Sequence, residues 1–347
     1  MIDARNSLLA ADVMRYGGAN QKEIWKAFAQ RGMGAAAAVH ASGVSDTDPV
    51  PDFASPLENN AQVTFNLVSK ETNAAVVGKV YVGHYEGRVQ PIADTDPATV
   101  NSGIDVNLDG TASFAPGTYD FVAVAKGYGF VRFSASFNAN QVKTQNVVMP
   151  TNWASAAGGA TASGDGTGQA LAIDETETTN WSADGRAADG TLPGIAGKQV
   201  TVDLAGTTAH SITDVEVSAM INPGQSRFAG LRSFELWACN AQAGADCSTD
   251  AGYTKVYTSA ADAFPGDAPR PNAPHLIMRD FHTSKFNATH LRLRVLTSQC
   301  TGGPAYQGEQ DADPSATTDC DTNVSAASTR RFVRVAEIQA FSSDPTK

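Results

Sequence analysis

The chain has 347 residues, with 25 Lys plus Arg against 36 Asp plus Glu and a formal net charge of −11. That balance excludes a surface that attracts nucleic acid by general electrostatics, and no stretch reaches the ~18 consecutive apolar residues of a transmembrane helix. The length exceeds one ordinary domain, so two or three cores are expected.

The start lacks the charged-then-apolar pattern of a signal peptide, so export must be read from other features, or the chain is a piece of something longer. Acidic residues gather in loops such as DTDPVPD, ADTDPAT and EQDADPSATTDCD, which read as solvated surface. The four cysteines, Cys239, Cys247, Cys300 and Cys320, allow three pairings. Proximity favours Cys239 with Cys247 and Cys300 with Cys320, each bridge worth roughly 2.5–3.5 kcal/mol of unfolded-chain entropy. Both segments are too polar to hold themselves by burial, and the expected setting is oxidising and extracellular, that of a secreted protein.

In chain order, residues 2–15 are good helix formers with Ile2, Leu8, Leu9, Val13 and Met14 spaced for one buried stripe. Tyr16-Gly17-Gly18 ends that helix, and Asn20 with Glu23 predicts a capping box on a second one from Gln21 to about Gln30. Ile24, Trp25, Ala27 and Phe28 then form an apolar face. Helices this short are marginal alone in water, so residues 1–40 read either as the end of a larger domain or as a packing element.

The run DARNSLLAADVMRYGGANQKEIWKAFAQRGMG resembles the segment that closes the catalytic domain in fungalysin-type secreted zinc metallopeptidases. Ala11, Asp12, Gly17, Gly18, Asn20, Trp25, Phe28, Ala29, Arg31, Gly32 and Gly34 carry the resemblance. It implies a parent enzyme whose zinc sits on an H-E-x-x-H helix plus a downstream glutamate. The histidines here are His40, His84, His210, His275, His282 and His290, and none belongs to such a motif. No catalytic residue is assigned; zinc is expected only in an upstream catalytic domain. His84, His275 and His282 read as ordinary polar or solvent-facing residues.

Residues 59–150 alternate in the manner of strands, in QVTFNLV, GKVYVGHY, GIDVNLD, TYDFVAVAK, FVRFSASF and TQNVVM, with Gly-containing turns between. Six or seven strands over this length predict a small β-sandwich. Asp109-Gly110, Pro116-Gly117-Thr118-Tyr119 and Ala125-Lys126-Gly127-Tyr128 resemble the transthyretin-like, carboxypeptidase-regulatory type of module, which implies a spacer. Trp153 marks the next boundary in a structural role.

From Gly158 the segments QVTVDLA, SITDVEVSAMI, SFELWACN, YTKVYTSA, HLIMRDF, THLRLRVLT and RRFVRVAEIQAF predict a jelly roll that buries one face of each strand. The fold expected for the whole is mainly β, with a short N-terminal helical hairpin, a small β-sandwich and a jelly-roll β-sandwich. Its domains divide as 1–40 helices, 41–58 linker, 59–150 first sandwich, 151–157 linker, 158–341 jelly roll and 342–347 tail.

Ala172-Ile173-Asp174, Thr179-Asn180-Trp181, Val200-Thr201-Val202-Asp203-Leu204, Ile212-Thr213, Val215, Val217 and Ala336-Glu337-Ile338 resemble the discoidin, or coagulation-factor C-type, module, which overlaps galactose-binding-like carbohydrate modules. The resemblance implies a structural calcium, with Asp174, Thr179 and Glu337 as ligands from the opening loop and last strand. Glu175 stands where the family often has Gly. Ligand binding falls on loops at one end of such modules; Arg227 with Phe228 is the candidate pair, ahead of Arg186, Tyr306 and His275, while Trp181 reads as core. N-x-S/T matches occur at Asn180, Asn287 and Asn323.

The function expected is that of a non-catalytic C-terminal region of a secreted zinc metallopeptidase. It would target the enzyme to a glycan, cell-surface or matrix ligand. A freestanding secreted carbohydrate-binding or adhesion protein is the alternative.

Overall fold

The computed structural model describes residues 1–39, 49–84, 86, 89–96, 111–187, 190–191, 194–221, 225–266, 271–303 and 331–343. The chain is mainly β and divides into two compact units. The first comprises residues 1–125 and 130–149; the second takes in 126–129 and continues from 150. The N-terminal helices thus belong to the first unit together with the strands that follow.

Helix α1 (Ile2–Tyr16) stops at Gly17, whose φ of 62° needs the left-handed freedom of glycine. Helix α2 (Gln21–Ala29) follows. The expected apolar stripe does not form: Leu9 is buried, while Leu8, Val13 and Met14 are exposed. Polar locks do the packing instead. Buried Arg5 stacks its guanidinium 4.9 Å from the Trp25 ring centroid and donates to the Met33 and Gly34 carbonyls. Asp12 accepts from the Asn20 side-chain amide at 2.7 Å and from Gln21 Nε2 at 3.1 Å. Because Asp12 holds its amide, Asn20 makes no side-chain cap, and the predicted capping box is absent.

The strands of the first unit form a three-stranded and a four-stranded sheet. In the first, β1 (Ala61–Ser69) lies between β4 (Thr111–Phe114), antiparallel, and β7 (Val142–Met149), parallel. The second runs β3 (Ala93–Asp94), β2 (Lys79–Val82), β5 (Gly117–Val124) and β6 (Val131–Phe137). Alternation in β1 buries Ala61, Val63, Phe65 and Leu67. Their core is aromatic. Fully buried Phe114 lies 5.0–6.3 Å, centroid to centroid, from Phe53, Phe65, Tyr119, Phe121 and Phe137. Burial raises the Tyr119 phenol pKa, and its hydroxyl donates to the Ala115 carbonyl at 2.7 Å. The expected strand GIDVNLD and the Asp109-Gly110 turn lie outside the described residues.

In the second unit a five-stranded sheet runs β13 (Thr254–Thr258), β12 (Leu231–Cys239), β15 (His290–Ser298), β10 (Gln199–Asp203) and β8 (Thr161–Gly164). A three-stranded sheet runs β14 (Arg279–Ala288), β11 (His210–Ser218) and β17 (Glu337–Phe341), and β16 (Phe332–Val335) pairs with β9 (Trp181–Asp184). Val200, Val202, Phe234, Leu236, Leu291, Leu293, Val215, Val217 and Ile338 are buried from these strands.

Two expected strands differ in outline. RRFVRVAEIQAF is two strands in different sheets, parted at Ala336, whose N–H donates to Ser218 O. HLIMRDF begins as the one-turn helix Ala273–Leu276 with a capping box from Asn272, so the strand starts only at Arg279.

Trp181 is core as expected from the residues around it: it is fully buried and donates Nε1–H to Asp165 O at 2.6 Å. Cys239 and Cys247 form a disulfide. Cys300 is disulfide-bonded too, and its expected partner Cys320 lies outside the described residues.

Because Phe114 joins five rings, Phe114→Ala should cost about 3–5 kcal/mol, read as a lowered urea midpoint for the first unit's transition. Val142→Ala on an exposed strand position should move that midpoint by no more than about 0.5 kcal/mol equivalent.

Candidate functional site

The second unit closes on a buried acidic group drawn from residues far apart in sequence. The loop that supplies half of it begins with Gly164, Gly166 and Gly168, all at positive φ, and continues through the 3-10 turn Gln169–Ala172 to Asp174 and Glu175. Glu175 itself has φ 63°, the left-handed region that favours glycine and costs other residues about 1 kcal/mol or more. Here two hydrogen bonds hold the strained residue: its N–H donates to Glu337 Oε2 at 3.1 Å, and its Oε1 accepts from Gly127 N at 2.6 Å.

Glu337, at the start of β17, is wholly buried. Burial, and then the charge of Asp174, push its carboxyl well above the usual range. Burial likewise raises Asp174 and Glu175. Asp174 Oδ2 accepts from the Thr179 hydroxyl at 2.8 Å, while Asp174 Oδ1 is buried with no hydrogen-bond partner among the described residues. Three acidic side chains that desolvate and repel one another, with one orphaned oxygen, are what a hard cation would relieve. The donors are all oxygen, which suits calcium rather than a thiophilic metal. Thr179 serves the group through Asp174, to which its hydroxyl is committed. Next to these, Glu177 is buried for structural reasons: its Oε1 accepts from Ser218 Oγ and Met278 N, each at 2.6 Å.

The candidate ligand pair fares differently. Phe228 is fully buried against Cys300, so it offers no face to a ligand; the short turn Arg227–Ala229, started by Ser226, folds the ring inward. Arg227 is partly exposed. Arg186 is exposed beside Asp184, which accepts from its N–H. His275 is occupied locally, its Nδ1 accepting from Asn272 N. Asn180 is buried with its amide on Met220 O, whereas Asn287 is exposed. Tyr306, Asn323 and His40 lie outside the described residues. His84 is exposed, 3.5 Å from Asp120, and Trp153 stacks on His210 at 3.8 Å while its Nε1 donates to Ser342.

One surface escaped the sequence reading. The outward face of the five-stranded sheet carries Trp237 beneath Arg294, and Arg292 lies 3.7 Å over Tyr253 while donating to Thr201 and Asp250. Lys255 and Glu235 pair beside Trp237 at 3.0 Å. Tyr253 is itself buried, so the half-buried Trp237 ring, flanked by guanidinium and carboxylate groups, is the one that suits a polar, ring-shaped ligand. Alternation alone shows these residues sharing faces within a strand; only the register of β12 on β15, with Trp237 opposite Arg292, assembles them.

The acidic group has a pH signature. A carboxyl whose folded pKa is raised is protonated in the native chain while the unfolded chain has lost the proton, so stability falls as pH rises from about 4.5 through the folded value. In chelator-treated protein the melting temperature should therefore drop between mildly acidic and neutral pH. Glu337→Gln, which keeps an acceptor for Glu175 N–H, should flatten that slope, measured by calorimetry across pH.

Among the described residues no helix is long and apolar enough to cross a membrane. Several solved structures are similar at low identity. A Clostridium perfringens family 32 carbohydrate-binding module in complex with GalNAc-β-1,3-galactose is 14% identical, covering 55% of this chain and 99% of that one, with a TM-score of 0.33. The family 32 module from C. perfringens NanJ, in complex with galactose, is 13% identical over 52% of this chain and 91% of its own, with a TM-score of 0.30. A chitosan-binding module from Paenibacillus sp. IK-5 is 13% identical, covering 52% and 92%, with a TM-score of 0.28.

At the other end of the chain the likeness is one of sequence. The extracellular metalloproteinase mep of Aspergillus flavus is 49% identical over 53 residues, which span 15% of this chain and 8% of that protein. The family described as fungalysin metallopeptidase (M36) matches residues 1–37, and it is over this segment that the chain is similar to those enzymes.

Proposed function

We propose that this chain is a non-catalytic accessory region of a secreted zinc metallopeptidase, and that its second unit, steadied by calcium, holds the enzyme on glycan-bearing substrate. The observation that carries the reading is the fungalysin match over residues 1–37 in a chain whose sequence contains no H-E-x-x-H. The residues present do not fit the peptidase's zinc, so no step of peptide hydrolysis is assigned to them. What they can do is bind. Asp174 and Glu337 would hold the calcium, with Glu175 fixing the loop between them and Thr179 orienting Asp174; the ion supplies positive charge that lets these carboxylates stay ionised inside the protein.

Sugar recognition needs an exposed ring for the apolar face of a pyranose and charged groups for its hydroxyls. Half-buried Trp237 offers the part of its ring that stays accessible, with Arg294 and Glu235 supplying the charged groups on a rigid sheet, and Arg227 supplies a second guanidinium on a turn. Retention near substrate then acts through effective concentration rather than through chemistry.

Two experiments test this reading. Sequencing the gene upstream of Met1 should show an in-frame H-E-x-x-H; an in-frame stop followed by a start codon would overturn the accessory role. A glycan array probed with the full chain in calcium should show retention that Trp237→Ala or Arg227→Ala weakens at least about tenfold, the ~1.4 kcal/mol of one lost stacking or charged hydrogen-bond contact. No retained glycan would overturn the binding role.

A further inference from the structure

The three-stranded sheet carries a second cluster of ionisable groups, separate from the Asp174–Glu337 group. Asp214 on β11 pairs directly across from His282 on β14, and Asp280 stands two residues before His282, hence on the same face. Ligand atoms of Asp214, Asp280 and His282 lie within 4.8 Å of one another. Glu216, opposite Asp280 in the register, brings a third carboxylate residue to this face. Alternation alone would place polar residues here; it would not place an imidazole between two aspartates from two strands.

The imidazole is oriented. Its Nδ1 hydrogen-bonds Asp214 Oδ1, and its Nε2 lies 3.3 Å from Asp280 Oδ2. Asp214 is itself fixed, buried to 3% exposure with its other oxygen accepting from the Thr213 hydroxyl. A carboxylate that takes the Nδ1 proton leaves the Nε2 lone pair for a metal, an arrangement common around protein-bound zinc. The Nε2 to Oδ2 separation also fits. Two ligands on one tetrahedral ion, each bonded at about 2.0–2.1 Å, stand about 3.3–3.4 Å apart.

We propose that His282 Nε2 and the Asp280 carboxylate form a binding site for a borderline divalent cation such as zinc, with Asp214 as the positioning residue. A nitrogen donor beside a carboxylate favours zinc, nickel or copper over calcium, so the site differs in preference from the all-oxygen group around Glu337. The His282 side chain is 63% exposed, which gives the ion an entry path and lets water complete its coordination. The ion ties β14, at the edge of its sheet, to the chemistry of solvent rather than to the core. Binding releases whatever proton Nε2 carries, and no bond within the chain is made or broken.

The test uses the untagged full chain, stripped with a chelator and dialysed into millimolar calcium so that the all-oxygen group is saturated. Zinc alone is titrated by calorimetry, and bound metal is counted by elemental analysis. One zinc per chain is expected. His282→Ala and Asp280→Asn should each weaken binding at least tenfold, while His84→Ala should leave it unchanged. Asp214→Asn should weaken it by about 10–100-fold and shift the imidazole proton between ring nitrogens in long-range proton–nitrogen spectra, a change that a purely structural aspartate would not cause. Circular dichroism of His282→Ala, a substitution at an exposed position, checks that the fold persists. No zinc uptake in calcium, or uptake that His282→Ala leaves unchanged, would overturn the site.

Discussion

The second unit depends on one contact across 162 residues: the N–H of Glu175 on the side chain of Glu337. Together with the Gly127 N–H on the Glu175 side chain, it holds the left-handed turn at Glu175 and gives the buried Glu337 carboxyl a donor. The contact is costly by itself. It draws Asp174, Glu175 and Glu337 out of water together, and burial raises all three carboxyls. Burying one such charge without a partner costs several kcal/mol, so the same geometry that closes the sandwich leaves desolvated carboxyls whose ionisation a cation would relieve.

The surrounding structure serves that contact. Trp181, fully buried, locks the loop from the far side by donating to Asp165 O. On the strand side, Ala336 N–H on Ser218 O parts the last segment into β16 and β17 and sets Glu337 opposite Ser218. Ser218 in turn donates to Glu177, so the acidic loop and the three-stranded sheet are joined by a second polar link. The first unit uses a different device, a packed set of aromatic rings around Phe114, and its helices hold by Arg5 and Asp12 rather than by an oily stripe.

How much of this was legible in the residues depends on the range of the cause. Alternation in QVTFNLV and QVTVDLA is local and marks β1 and β10. The pairing of the AID loop with the late AEI was readable because a resemblance, not a period, connects them. Local rules failed where a distant group competed: Asp12 took the Asn20 amide and removed the capping box, and Asn272 turned HLIMRDF into a helical turn before the strand. Phe228 looked like a loop aromatic because hydrophobic burial at a sandwich end leaves no periodic mark. The pairing of His282 with Asp214 depends on a strand register that includes a bulge between Ile212 and Asp214, and one residue of slip would send the side chain to the other face.

Differential scanning calorimetry of the full chain, after chelation and with calcium restored, reads the central contact most directly. The account predicts a higher melting temperature with calcium, equivalent to about 2.7 kcal/mol at a hundredfold excess over the dissociation constant, and no such gain in Asp174→Asn or Glu337→Gln. A melting temperature indifferent to calcium in the unaltered chain, or a gain that survives both substitutions, would contradict it.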